Sequence, residues 1–437
     1  MSADRRASIV AADKKYVWHP YTPMDRYIDV TDPLVVDRAE GCLLFDVDGR
    51  SYIDAMSSWW VATLGHNHPR LVRALTEQAQ RLCHSSLAGA THEAAARLAE
   101  ELVSVAPQGL SRVFYSDDGS TAVESAVKMA AQFWFNEGRF SKKKFVALDG
   151  AFHGETIGAA SLGGIEVFRR PYAGVLFDCL RAPEPSEADA YTSVFNAIER
   201  MIVERADEIA AVVLEPLVQG AVGMRMYPAH HLKRMRELCT HHNVLLIVDE
   251  VFTGYGRTGT MWACDQAGIC PDILCVAKGF SGGMLPMAAT LVTEQVFDAF
   301  RGAPDRAFFY GHSYCGNPLG SAVAREVLAV FRDEQIVEGV RAKALMIQKA
   351  FDDLALMPGV RSVRSLGMIG ALDLAESASY LGQTGWRVYD EARKRGAYLR
   401  PLGDVVYVAP PLNIPDVQLD RLLAIVKESV SAAVGGP

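Results

Sequence analysis

No run of apolar residues approaches the roughly 20 needed to cross a bilayer, so a helical membrane protein is not expected. The opening MSADRRASIV carries two arginines, and no apolar stretch of signal-peptide length follows it. A cytoplasmic protein is expected. Positive charge is not in excess either: 44 Lys and Arg stand against 52 Asp and Glu, a net charge of −8. That balance argues against nucleic acid or an anionic membrane as the main partner. The eight cysteines are scattered, and the one local cluster, Cys264, Cys270 and Cys275, lacks the spacing of a zinc ribbon or finger. No metal site is expected. There is no internal repeat, no low-complexity tract and no Gly-Lys-Ser of a P-loop.

What is present is a chain of 437 residues, half of them hydrophobic and 22% charged. Its length suits one large domain with a smaller one. LLFDVDGRSYID at 43–54 reads as a hairpin, with Asp48-Gly49 at the turn. From about residue 70 to 300, short β-rich runs alternate with helical stretches. The expected strands are 112–115, 145–148, 211–214, 244–248 and 273–277; Thr121–Phe135 and His231–His241 have helical periodicity. That alternation predicts an α/β fold whose sheet is mostly parallel and covered on both faces. GVRSVRSLGMIGALDL and GAYLRPLGDVVYVAPPL read as strands of a smaller α+β domain. The expected division is 1–65, contributing to the small domain and the pocket; 66–325, the large domain; and 326–437, the small domain.

In a parallel sheet, ligands collect at the carboxyl ends of the strands. Asp249 ends the run VLLIVD, and Lys278 ends ILCVAK, 29 residues later. Gly282-Gly283 then allows a sharp turn close to a ligand. A third strand end carries YSDDGSTAVESAVKMA, where a Gly-Ser turn opens a helix and Thr121 and Glu124 are spaced as a capping box. Free N–H groups there suit an anion. An acid, an amine and an anion cradle at one edge match the needs of pyridoxal 5'-phosphate. Lys278 would bond the aldehyde, Gly119 and Ser120 would hold the phosphate, and Asp249 would keep the ring nitrogen protonated. Glu250 would face the other way.

FHGET at 152–156, LEPLVQGAVGM at 214–224, DEVFTGYGRTG at 249–259 and CVAKGFSGG at 275–283 resemble the class III (ω-amino acid) aminotransferases of fold type I. The resemblance covers nearly the whole chain. GHSYCGNPLG at 311–320 is similar to that family's segment that crosses the dimer interface. WHPYTPM at 18–24 and MSSWW at 56–60 resemble the members that serve biotin formation. The resemblance implies transamination of 8-amino-7-oxononanoate to 7,8-diaminononanoate, with S-adenosylmethionine as amino donor, by a homodimer with shared active sites. It implies Lys278 and Tyr21 as catalytic residues. Gly119, Ser120, Phe152, Asp249 and Lys278 would bind the cofactor, with His312 and Ser313 reaching it from the other subunit. Tyr21, Trp59, Phe152, Lys278, Gly311 and Arg400 would contact substrate, the arginine taking its carboxylate. The alternative is another ω-aminotransferase, of the ornithine, 4-aminobutyrate or β-alanine type.

Three positions depart from the family pattern: Phe152 for tyrosine, Asp118 for serine or asparagine, and His312 for proline. Four further expectations attach to single residues. Trp59 and Trp60 sit on an extended segment, so only one faces the site. His153 serves structure, Arg257 anchors the loop after Asp249, and Arg400 lies on a strand of the small domain.

Overall fold

Leu246 and Val248 point into one hydrophobic core, Leu245 and Ile247 into another. This is the two-residue period of a strand buried on both faces. The computed structural model describes residues 2–375 and 380–434. Its centre is a seven-stranded sheet in the order Leu110–Ser116, Ala288–Thr293, Ile273–Val276, Leu245–Asp249, Ile209–Leu214, Lys144–Leu148, Leu180–Ala182. All five runs expected to be strands are in it. Each neighbouring pair is parallel except those of Ala288–Thr293, which runs antiparallel to both of its neighbours. The α/β class with a mostly parallel sheet is what forms.

Helices cover the two faces. Gly119–Asn136 packs on Ile273–Val276 and Ala288–Thr293, while Ala229–His241 packs beside Leu245–Asp249. Val123, Ala126 and Ala130 of the first helix join one core; Leu232, Met235 and Cys239 of the second join the other. Each fully buried Leu or Val adds about 1.5–3 kcal/mol, so the layered core fixes where the strand ends lie.

The hairpin forms as expected, Leu43–Asp46 against Ser51–Asp54, with Gly49 at φ +85° in the turn. Ala397–Tyr398 then adds to Ser51–Asp54 in parallel, joining the two ends of the chain in one sheet. Ser362–Leu366, Ile369–Asp373 and Val405–Val408 make a separate antiparallel sheet. The helix Pro318–Asp333 runs unbroken across the expected boundary at 325/326. Among the described residues, no helix is long and apolar enough to cross a membrane.

Candidate active site

Asp249 is the last residue of its strand, Lys278 follows Val276 by two residues, and Gly119 follows Ser116 by three. The shared direction of these strands brings all three to one edge. Gly119, Ser120, Phe152, Asp249 and Lys278 line a single cavity there, together with Trp60, His153 and Glu215.

Lys278 stands at the cavity wall with φ +50°. Its Nζ lies 4.5 Å from the Trp60 ring centre and 5.7 Å from that of Phe252. Burial among these rings brings its pKa down to about 8, against the upward pull of Asp249 and Glu215. Roughly a tenth of such an amine is neutral at pH 7, and the neutral form is the nucleophile.

Asp249 is held on both oxygens. Oδ1 accepts from Val251 N at 3.0 Å, and Oδ2 lies 2.8 Å from His153 Nδ1. Beside a carboxylate, Nδ1 is the protonated nitrogen, leaving Nε2 buried with no partner among the described residues. His153 thus serves structure by holding Asp249. Glu215 closes the same corner, accepting from Phe152 N at 3.0 Å and Gly220 N at 2.9 Å. Burial first, then the charge of Asp249, pushes its carboxyl up to about 7, while His153 and the two N–H groups oppose the shift. Glu250 faces away, accepting from Ala263 N, Cys264 N and Thr253 Oγ1.

The cradle begins three residues earlier than the expected capping box. Asp118, not Thr121, is the N-cap: its Oδ1 accepts from Thr121 N at 2.8 Å, and Thr121 Oγ1 accepts from Asp118 N at 3.0 Å. Aspartate and threonine both cap well, and the strand's end decides between them. The helix therefore opens at Gly119, so the N–H groups of Gly119 and Ser120 precede any intrahelical acceptor. The Asp118 carboxylate is engaged by Thr121 N at the start of the same helix. Glu124 instead accepts from Thr156 Oγ1 at 2.6 Å and Ala159 N at 3.2 Å. A Cβ at position 119 would sit 2.7 Å from Val251 Cγ1, so only glycine fits there.

Tyr21, Trp59 and Arg400 form a second group. The guanidinium lies 4.8 Å from the Trp59 ring and 5.8 Å from that of Trp386, and Nη2 is 3.4 Å from Tyr21 O. No carboxylate among the described residues pairs with it. Arg400 is two residues past the short strand Ala397–Tyr398 rather than on it. The Tyr21 hydroxyl donates to Glu155 Oε1 at 2.7 Å, and its ring meets Trp59 and Phe168 edge-on. Burial and that carboxylate raise the phenol's pKa well above its ordinary value. Phe168 also meets Phe152 and Tyr380; Phe168, Tyr380, Trp386 and Glu155 are neighbours of this group that sequence reasoning did not single out.

The two tryptophans are not extended. Ser57, Ser58, Trp59 and Trp60 have φ of +51°, +45°, +69° and +73°. They make one turn of left-handed helix, closed by Trp60 N to Met56 O and Val61 N to Ser57 O. Such a conformation costs about 1–2 kcal/mol per residue, so neighbours must hold it. Arg257, fully buried, is one of them: it donates to Ser57 Oγ at 3.2 Å and Pro410 O at 2.7 Å. Arg257 belongs to the loop after Asp249, so these bonds tie that loop to the turn and to the 410 segment. Trp60 consequently lies over the lysine and lines the cavity, and Trp59 lies over the arginine.

Gly311, His312 and Ser313 are not brought to the cavity. Gly311 and Ser313 are exposed, and His312 Nε2 is 3.4 Å from Asp117 Oδ1. Phe309, 84% exposed, and Tyr314 flank them.

Residues 27–430 match the family described as aminotransferase class-III. The chain belongs to the class III aminotransferases. An adenosylmethionine-8-amino-7-oxononanoate aminotransferase from Geobacter sulfurreducens is 40% identical to this aminotransferase, over 97% of each chain. The crystal structure of the enzyme of that name from Methanocaldococcus jannaschii is similar with a TM-score of 0.94 and 34% identity, over 98% of this chain and 99% of that one. An amine transaminase from an uncultivated Pseudomonas species, solved in its PLP-bound form, is 30% identical with a TM-score of 0.88, over 96% and 98% of the two chains. This aminotransferase is therefore an enzyme of fold type I. Its residues fit pyridoxal phosphate: a glycine-only approach at 119, free N–H groups at a helix start, a buried carboxylate and a buried amine of lowered pKa face one cavity.

Proposed function

We propose that this aminotransferase converts 8-amino-7-oxononanoate to 7,8-diaminononanoate, with S-adenosylmethionine as amino donor, in biotin formation. The observation that carries the reading is Arg400, a cation set between two indoles beside Tyr21 with no carboxylate of the described chain to neutralise it. The site demands an anionic group, and an aliphatic chain along Tyr21, Trp59 and Phe168 delivers one. The names of the relatives support the same substrate.

When bound, pyridoxal phosphate supplies an aldehyde carbon for amine exchange and a ring that accepts an electron pair from the substrate carbon. Asp249 holds the proton on the ring nitrogen, and His153 and Val251 keep its carboxylate aimed. The N–H groups of Gly119 and Ser120 would hold the phosphate, and Phe152, which lines the same cavity, would supply an apolar wall for the ring. Lys278, its pKa lowered to about 8 by burial, would bond the cofactor's aldehyde and, as a neutral amine, would accept and return a proton at its Nζ. Tyr21, its hydroxyl committed to Glu155, walls the pocket beside Trp59 and Arg400 and orients the substrate chain there. Arg400 binds the carboxylate in a bidentate pair.

Gly311, His312 and Ser313 act in a second copy, His312 and Ser313 at its phosphate and Gly311 at its substrate, so the working unit is a cytoplasmic homodimer. Residues 66–325 serve as the cofactor-binding domain, with 1–65 and 326–437 forming the substrate-side lobe.

Incubating the enzyme with the oxononanoate and a panel of donors, S-adenosylmethionine and lysine among them, tests the reading. Diaminononanoate should form, fastest with S-adenosylmethionine. Turnover of ornithine, 4-aminobutyrate or β-alanine with none of the oxononanoate would replace it by another ω-aminotransferase. In Arg400→Ala, loss of one charge-assisted contact should cost about 1.5–3 kcal/mol in keto-acid binding. Single-turnover measurements of each half-reaction read it.

A further inference from the structure

The left-handed turn at Ser57–Trp60 is pinned from both sides. Asp54, completely buried, accepts four hydrogen bonds. Met56 N donates to its Oδ1 at 3.1 Å; Ser58 N at 2.7 Å, Ser58 Oγ at 3.2 Å and His66 Nε2 at 2.8 Å converge on Oδ2. On the other side, Ser57 Oγ donates to Ala409 O at 2.8 Å and accepts from Arg257. None of the four turn residues is glycine, so each would gain by leaving this conformation. The network prevents that.

What the turn delivers is two stops. Successive side chains of one helical turn diverge by about 100°, so adjacent indoles reach separate groups. Trp60 covers the Lys278 amine at 4.5 Å, and Trp59 covers the Arg400 guanidinium at 4.8 Å. Trp60 is further fixed by its Nε1, which donates to Tyr407 OH at 3.1 Å. Lys278 and Arg400 come from distant parts of the chain, and this turn touches both cations through adjacent residues.

We propose that the turn is the gauge for substrate length, and that Asp54 is a positioning residue that determines chain-length specificity. By fixing both indoles, it fixes the span between the reacting amine and the carboxylate-binding guanidinium. The inference rests on the proposed roles of Lys278 and Arg400. A substrate one methylene too short or too long cannot satisfy both ends. If the turn relaxes, the two stops shift together and the penalty falls.

The test uses the holoenzyme and single-turnover amine donation by 7,8-diaminononanoate and by homologues with one methylene removed from or added to the chain. One methylene in a fitted pocket discriminates by about 10- to 200-fold, and the wild type should fall in that range. Asp54→Asn replaces two of the acceptor sites by a donor and should flatten the preference to about threefold or less, well below that range. It should also change the near-ultraviolet circular dichroism of the indole pair. Ser57→Ala frees the other side of the turn and should flatten the profile in the same way, whether or not Asp54→Asn folds. Rates that fall equally for every chain length in the folded variants would overturn the gauge and leave the proposed function intact. A wild type inert toward 7,8-diaminononanoate itself would overturn both.

Discussion

His153 Nδ1 lies 2.8 Å from Asp249 Oδ2, and both side chains are closed off from solvent. Asp249→Asn leaves an oxygen to accept that bond while removing the charge. The variant should fold and retain cofactor, measured by absorbance, because the amide fills the same space. Turnover should drop by about 10²–10³, the scale of losing one preorganised electrostatic contact. Turnover near the wild-type rate in a cofactor-loaded sample would mean that the carboxylate serves packing alone.

Lys278 should betray its environment through pH. In protein stripped of cofactor, the neutral amine is the form that an amine reagent attacks, so the labelling rate should climb as pH rises through about 8 and level off above it. In Asp249→Asn the midpoint should move lower, since the carboxylate's charge is what pulls it up. Peptide mass spectrometry locates the label. A midpoint near the ordinary lysine value of 10.5 would contradict burial as the cause.

Ser313 is exposed on its own chain, and a role in the neighbouring copy makes a definite demand on mixing. Inactive Lys278→Ala chains combined with Ser313→Ala chains should give heterodimers with one site intact. Activity should rise on mixing toward about half the wild-type value per intact dimer. No gain on mixing, with dimers verified by light scattering, would remove Ser313 from the shared site.

Much of this architecture can be read directly in the chain. Buried strands announce themselves as unbroken aliphatic runs, and Asp249 and Lys278 stand out because charge follows such runs directly. Other features are decided by contacts that local pattern cannot carry. Ala288–Thr293 is as apolar as its neighbours, and nothing in AATLVT reveals that it runs antiparallel. Glu215 lies inside a quoted motif, yet its part depends on N–H groups supplied by Phe152 and Gly220. Asp118 and Thr121 are both good caps, so the helix start was ambiguous by one turn. Ser-Ser-Trp-Trp has no glycine to signal positive φ, and propensity there opposes the observed turn. Its form comes from Asp54, Arg257 and the carbonyl of Ala409.

That last dependence bears on the order in which the molecule becomes functional. Ser57 bonds to Ala409 across 352 residues, and Arg257 joins the same knot through Pro410. Contacts so distant in sequence carry a large loop-closure cost and form late. As the chain leaves the ribosome, the large sheet can gather its strands long before residue 409 exists. The turn at residues 57–60 must wait for residues 409 and 410 to be made. Competence is therefore conferred only after these segments emerge, and a nascent chain with its lysine already in place still lacks the wall that covers it.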